Sequence, residues 1–394
     1  MRPTILRVEA GWHHRHLCPV TAVTDLDPEV DPARLSLRDR SAATGPGRVP
    51  LQAWRRADGL VELSWIVGDL EPHQAAAYNL ELLEIPPQKD AVTLSEGPAG
   101  QLVVRVHGEH VTTYNFGPKV VRPYLYPVLA RGQVGITRSW PMVDDIPNET
   151  HDHPHHKGIY TAQGSVNGVD NWSEEPGHGW QIHRGFTKLY EGPVAGGFTE
   201  AIDWTDADRQ TNMTETRRMT FYDTPSRLRL IDYSVTLHAS RGEVTLGDTK
   251  EGGLLSVRVA SSMDVTGEPD GGRFQNSVGG ILEKEAWGKR ASWCDYTGPT
   301  DAGWRGVCFM DHMRNPRYPT HWHVRNYGLM TANCIGLHDF TGDPSQRDDL
   351  VIPEGESCSW TWRIVVHDGD AQVAQLAERY QDFVHPPKVA VERE

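Results

Sequence analysis

The chain has 394 residues, 38% apolar and 23% charged, and its 39 basic against 53 acidic side chains leave a formal charge of −14. That balance, with no local run of Lys and Arg, argues against a groove built to neutralise nucleic-acid phosphates. No stretch approaches the ~20 consecutive apolar residues of a membrane helix, and residues 1–9 carry no apolar leader region, so a cytoplasmic protein with no membrane partner is expected.

Along residues 1–85 the clearest pattern is Val61, Leu63, Trp65 and Val67, apolar at every second position, which predicts a half-buried strand within a small N-terminal β-sandwich-like module. Residues 83–91 (LEIPPQKDA) are rich in proline and charge and mark a domain boundary. From 90 to 385 the strand signals recur: residues 102–106, then Ile231, Tyr233, Val235 and Leu237, then residues 254–259, then Trp360, Trp362, Ile364 and Val366. Turn clusters at residues 268–272 (EPDGG) and 342–344 (GDP) separate them, and 38 Gly and 27 Pro fit many such turns. One helix is predicted near the end, with Asp370 as N-cap and Val373, Leu376, Ala377, Tyr380 and Phe383 at helical spacing. The expected class is mainly β, closed by a C-terminal helix.

Five cysteines (Cys18, Cys294, Cys308, Cys334, Cys358) are scattered without a C-x-x-C pair, so neither a disulfide framework nor a cysteine zinc site is indicated. Imidazole is the conspicuous chemistry. Four of the six residues from 151 to 156 are histidines (HDHPHHKG), and the neutral ring both exchanges protons near pH 7 and ligates metals. His153, His155 and His156 are catalytic candidates, with Lys157 beside them; the plain alternative is a solvated loop with one structural histidine. Residues 247–253 (GDTKEGG) put Lys250 and Glu251 at a strand mouth, where Glu251 is a candidate base and a charged hairpin is the plain alternative. In residues 320–328 (THWHVRNYG) an H-x-H pair places His321 and His323 on one strand face, next to Arg325. His323 joins the catalytic candidates; a divalent metal held by histidines would need further ligands brought in by the fold, and the plain alternative is two hydrogen-bonded histidines beside a tryptophan. Arg122 and Tyr124 (KVVRPYLYP), Arg138 (GITRSWP), and Asn171 and Trp172 (VNGVDNW) complete a set suited to hydroxyls, carboxylates and the C–H face of a sugar. Most of the 13 tryptophans are expected in the core.

The blocks RPYLYPVLARGQVGITRSWPM, DHPHHKGIYTAQGSVNGVDNW, DTKEGGLLSVRVA and HWHVRNYGL resemble, over about residues 90 to 370, a bacterial family often labelled PmoA or methane oxygenase. The label implies a membrane-bound monooxygenase subunit, which a chain without a spanning segment contradicts. The order of G-x-x-x-x-W-P followed by a His-rich block is also similar to galactose-mutarotase-like proteins. That similarity implies a β-supersandwich over residues 90–385 whose concave face binds a sugar, with His153, His155 or His156 as acid and Glu251 as base. The doubled imidazoles and Lys157 depart from the mutarotase pattern. The function expected is a carbohydrate-active enzyme acting on a glycoside or oxidised sugar by His/Glu acid–base chemistry, of lyase, hydrolase or epimerase type. Mutarotation, non-catalytic sugar binding and, more remotely, metal-dependent oxygenation are the alternatives.

Overall fold

The computed structural model describes residues 3–41, 47–86, 90–266 and 271–393. Residues 87–89 of the expected boundary and 268–270 of one expected turn lie outside the described residues. The protein is mainly β, a β-sandwich with short helices. In the strand Leu228–His238, Ile231, Tyr233, Val235 and Leu237 are buried while Asp232, Ser234, Thr236 and His238 remain half-buried, which is the alternation that the pleat imposes. This strand lies mid-way in an eight-stranded antiparallel sheet ordered Trp180–Tyr190, Ala195–Thr205, Thr211–Tyr222, Leu228–His238, Ser357–Asp368, Arg305–Asp311, Trp293–Gly298 and Arg273–Asn276.

A second sheet of twelve strands faces it. Its main path runs His321–Val324, Leu329–Asn333, Gly252–Arg258, Ile159–Val166, Tyr124–Ala130, Glu109–Asn115, Gln101–Val106 and Val92–Gly97. Between the sheets lies the main core, where Trp204, Trp322, Trp360 and Trp362 are fully buried among aliphatic side chains. Full burial of a large apolar side chain contributes about 3 kcal/mol, so this layer dominates the packing.

Two smaller sheets near the N-terminus share a separate core around Leu6, Leu37, Leu63 and Trp65. One pairs Arg15–Thr24, Val61–Leu70 and Gln52–Arg55; the other contains Thr4–Glu9, Ala75–Leu82, Leu35–Asp39 and Arg48–Val49. The latter is completed by Lys388–Arg393, paired antiparallel with Thr4–Glu9, so the end of the described chain returns to its beginning. No local alternation signals this strand, in which Val389 and Val391 are only half-buried. The C-terminal helix spans Leu376–Val384 and starts later than the spacing predicts. Asp370 does cap, accepting from the backbone N–H of Gln372 and Val373 at 3.1 and 3.0 Å, but what it caps is a preceding turn. Gln375, at φ +52°, breaks the backbone before the helix proper, and Val373 stands 70% exposed outside it.

Candidate functional site

On the face of the twelve-stranded sheet turned away from the main core, register alone builds a row. Tyr124 lies opposite Tyr160, Tyr160 opposite Ser256, Ser256 opposite Thr331 and Thr331 opposite His323. Directly opposed residues share a face, and strands lie about 4.8 Å apart, so the stretch from Tyr160 to His323 covers about 14 Å. Trp322, one residue from His323, points into the core instead. Tyr124, Tyr160, Ala162, Trp172 and Leu329 pack together on the outer face, flanked by Tyr126 and Tyr327.

The histidine-rich loop lies over this aromatic floor. Its irregular backbone is satisfied by buried guanidiniums in place of a ladder. Arg138 donates to the carbonyls of Asp152 at 2.6 Å and His153 at 2.8 Å, and Arg122 donates to those of His155 at 3.1 Å and Trp172 at 2.5 Å. Arg122 and Arg138, expected to bind substrate, are therefore engaged in holding the loop, and both are buried. The Asp152 carboxylate receives Arg138 and also Arg258, the latter at 2.6 Å. Gly158 closes the loop at φ +58°, where a Cβ would come within 2.0 Å of the Leu125 carbonyl oxygen.

These anchors stack the rings. His153 lies parallel to His156 at 4.8 Å and to Tyr327 at 4.9 Å, while His155 and Trp172 meet His156 edge-on at 4.4 and 5.4 Å. The fourth imidazole of the loop, His151, stacks on Trp140. Burial lowers the pKa of His155 to about 3 and that of His156 far below its ordinary value, and neighbouring positive groups add to both shifts. Both rings are neutral near pH 7, which removes them as resting acids. Nδ1 of His156 accepts from Arg258 at 3.5 Å, so Nε2 carries the proton, and that buried N–H has no partner. At His323 the reverse holds. Its Nδ1 donates to the Lys250 carbonyl at 2.6 Å, leaving a bare Nε2 lone pair, also buried and unpartnered. Burial lowers the His323 pKa as well. Unpartnered polar atoms cost about 1–3 kcal/mol each, and the Tyr160 hydroxyl and the Trp172 indole N–H on this face are two more of them, whereas Asn171, expected beside Trp172 in the site, packs its amide against Gly179 instead.

The accessible groups form the rim. Glu251 is 47% exposed and pairs with Lys250 at 2.8 Å, and its charge acts on both His323 and Tyr327. Tyr327 has its pKa raised to about 12 by burial, against the opposing charges of Arg325 and Arg258, whose guanidiniums lie 5.5 and 4.8 Å from its ring. Arg325 also meets Glu283 at 3.0 Å. His153 is 41% exposed. Lys157 is drawn aside into a 2.6 Å bond with Glu174. No local motif marks Tyr327, Arg258 or Tyr160 as part of this face. Register with Ser256 and Thr331 would have found Tyr160, but register is a long-range property.

A tight metal-ligand set is not assembled in the loop. Among the described residues, one group of three His, Cys or carboxylate ligands gathers closely enough, namely His14, His16 and Asp69 in the N-terminal module. Residues 101–381 match the profile of a family described as a family of unknown function (DUF6807), a span that contains every residue of the aromatic floor and its rim. A search of curated proteins returned no match.

Proposed function

The chain belongs to the DUF6807 family, and from that premise we propose that it is a carbohydrate-active enzyme that moves protons on a glycoside or oxidised sugar. One observation carries the reading: an accessible carboxylate, an accessible imidazole and a protonated phenol meet along one aromatic-floored sheet face. Glu251, paired with Lys250 at 2.8 Å, is the base for a C–H or O–H of the sugar. Tyr327, whose proton is retained up to about pH 12, and the adjacent His153 supply the acid to the oxygen that departs or is re-protonated. The N–H of His156 and the lone pair of His323 are buried polar atoms with spare hydrogen-bonding capacity at this face. Trp172 and Tyr160, 3% and 0% exposed, pack beneath them as a buried support.

This reassigns the acid. The expected acid is one of His153, His155 and His156, and the depressed pKa values of the last two favour His153, joined by Tyr327. A galactose-mutarotase-like supersandwich, and a cytoplasmic location, belong to the same proposal. Among the described residues no helix is long and apolar enough to cross a membrane, which gives no support to a membrane-bound oxygenase subunit.

The test is a panel of glycosides, uronic acids and keto sugars incubated with purified protein and followed by NMR, which separates bond cleavage, epimerisation and simple anomeric exchange. Turnover is expected, with Glu251→Gln lowering kcat about 10²- to 10⁴-fold and leaving the fold intact, because the side chain is half exposed. Binding of sugars with no chemical change to any of them would replace the reading with a sugar-binding protein.

A further inference from the structure

The segment Trp12-His13-His14-Arg15-His16 enters the strand Arg15–Thr24, and the pleat divides its side chains. His13 and Arg15 turn to Asp382, at 3.3 and 3.0 Å, tying the N-terminal module to the C-terminal helix. His14 and His16 turn the other way. The strand pairs with Val61–Leu70 so that His16 lies directly opposite Asp69. The Asp69 Oδ1 atom consequently receives both rings, Nε2 of His14 at 2.6 Å and Nδ1 of His16 at 3.1 Å.

From this geometry we infer that His14, His16 and Asp69 form a binding site for a divalent late-transition-metal ion such as zinc. The three ligand atoms lie within 4.8 Å of one another. Zinc bonds of about 2.0–2.2 Å to nitrogen and oxygen place tetrahedral ligands about 3.3–3.5 Å apart, so the ion enters with shifts on the order of 1 Å. Two imidazoles and one carboxylate select zinc, copper or nickel over calcium and magnesium, which take oxygen ligands. Asp69 is 64% exposed, so the remaining coordination positions face water and are open to a further ligand. The site lies in a different sheet, with its own core, from the sugar-directed face, and it stands or falls independently of that reading.

The experiment is titration of chelator-treated, tag-free, full-length protein with zinc chloride by calorimetry, repeated with cobalt(II) to read its coordination in the visible spectrum. One equivalent is expected to bind the wild-type chain and to raise its Tm. The His14→Ala/His16→Ala double variant should lose at least 100-fold in affinity. Asp69→Asn, nearly isosteric and at an exposed position, should lose about 10-fold or more while matching the wild-type Tm without metal. His153→Ala/His155→Ala should bind as the wild type does. Absence of stoichiometric binding would overturn the inference, as would binding that survives the His14/His16 change but disappears with the His153/His155 change.

Discussion

At Asp152 one carboxylate faces two guanidiniums without access to water, since the side chains of Arg138 and Arg258 are 0% and 1% exposed. Burial pulls the Arg138 pKa down to about 10, the nearby Arg258 charge pulls the same way, and Asp152 opposes both. Replacing Asp152 by Ala leaves two like charges buried side by side. Breaking a fully buried pair costs about 3–5 kcal/mol, and because Asp152 is itself 40% exposed the expected loss is about 2–3 kcal/mol, read from urea unfolding. A loss below about 0.5 kcal/mol would contradict the account. Burial alone would raise the Asp152 pKa, but Arg258 and Arg138 outweigh it and hold the group below its ordinary 3.8. Its contribution is thus present above that pH and disappears as pH falls further. Gly158 is as sharply constrained. At φ +58° and with the Leu125 carbonyl in the path of any Cβ, Gly158→Ala is expected to cost about 2–4 kcal/mol and to unstack His153 from His156, detectable as altered imidazole NMR shifts.

Among the elements, Lys388–Arg393 has no fully buried residue of its own, and its Val389 and Val391 are only partly covered yet pack on the N-terminal core. Ending the chain after His385 removes this strand and leaves Thr4–Glu9 as an unpaired edge. The expected result is an N-terminal module weaker by about 2–3 kcal/mol, seen as an earlier urea transition and as new proteolysis within residues 4–9. An unchanged transition would show the strand to be dispensable. This element also marks the boundary of what the sequence makes visible. Alternation is local, so Leu228–His238 and Ser357–Asp368 are legible from Ile231 to Leu237 and from Trp360 to Val366 without any partner. The same holds for the H-x-H of residues 321–323, whose shared face follows from the period of a strand. What joins His323 to Tyr160, His16 to Asp69, or Val389 to Val8 is pairing across tens to hundreds of residues, and no window of sequence carries it. Arg122 and Arg138 look like substrate contacts in the sequence for a related reason. A guanidinium suits an exposed carboxylate and a row of loop carbonyls equally well, and only burial tells the two apart.

For the molecule as a whole, the buried imidazoles make stability a function of pH. Burial lowers the pKa values of His155 to about 3 and His321 to about 4, and lowers those of His156 and His323. Each folded value lies below the ordinary 6.5, so on acidification the unfolded chain takes up protons first. The stabilisation is complete above pH 6.5 and is lost as pH falls towards 4, at about 1.4 kcal/mol per pH unit for each fully neutral ring. Scanning calorimetry should therefore find Tm nearly level from pH 7 to 8 and falling steeply from 6.5 to 5; a flat acid limb would mean these rings are not desolvated. The antiparallel pairing of Thr4–Glu9 with Lys388–Arg393 has a further consequence, in time instead of energy. After Leu82 emerges from the ribosome, about 300 residues separate it from Lys388. At about 5–20 residues per second the first module waits about 15–60 s for its last strand, with one edge open throughout. During that interval the edge is a place where a nascent neighbour on the same message, or a chaperone, competes for Thr4–Glu9.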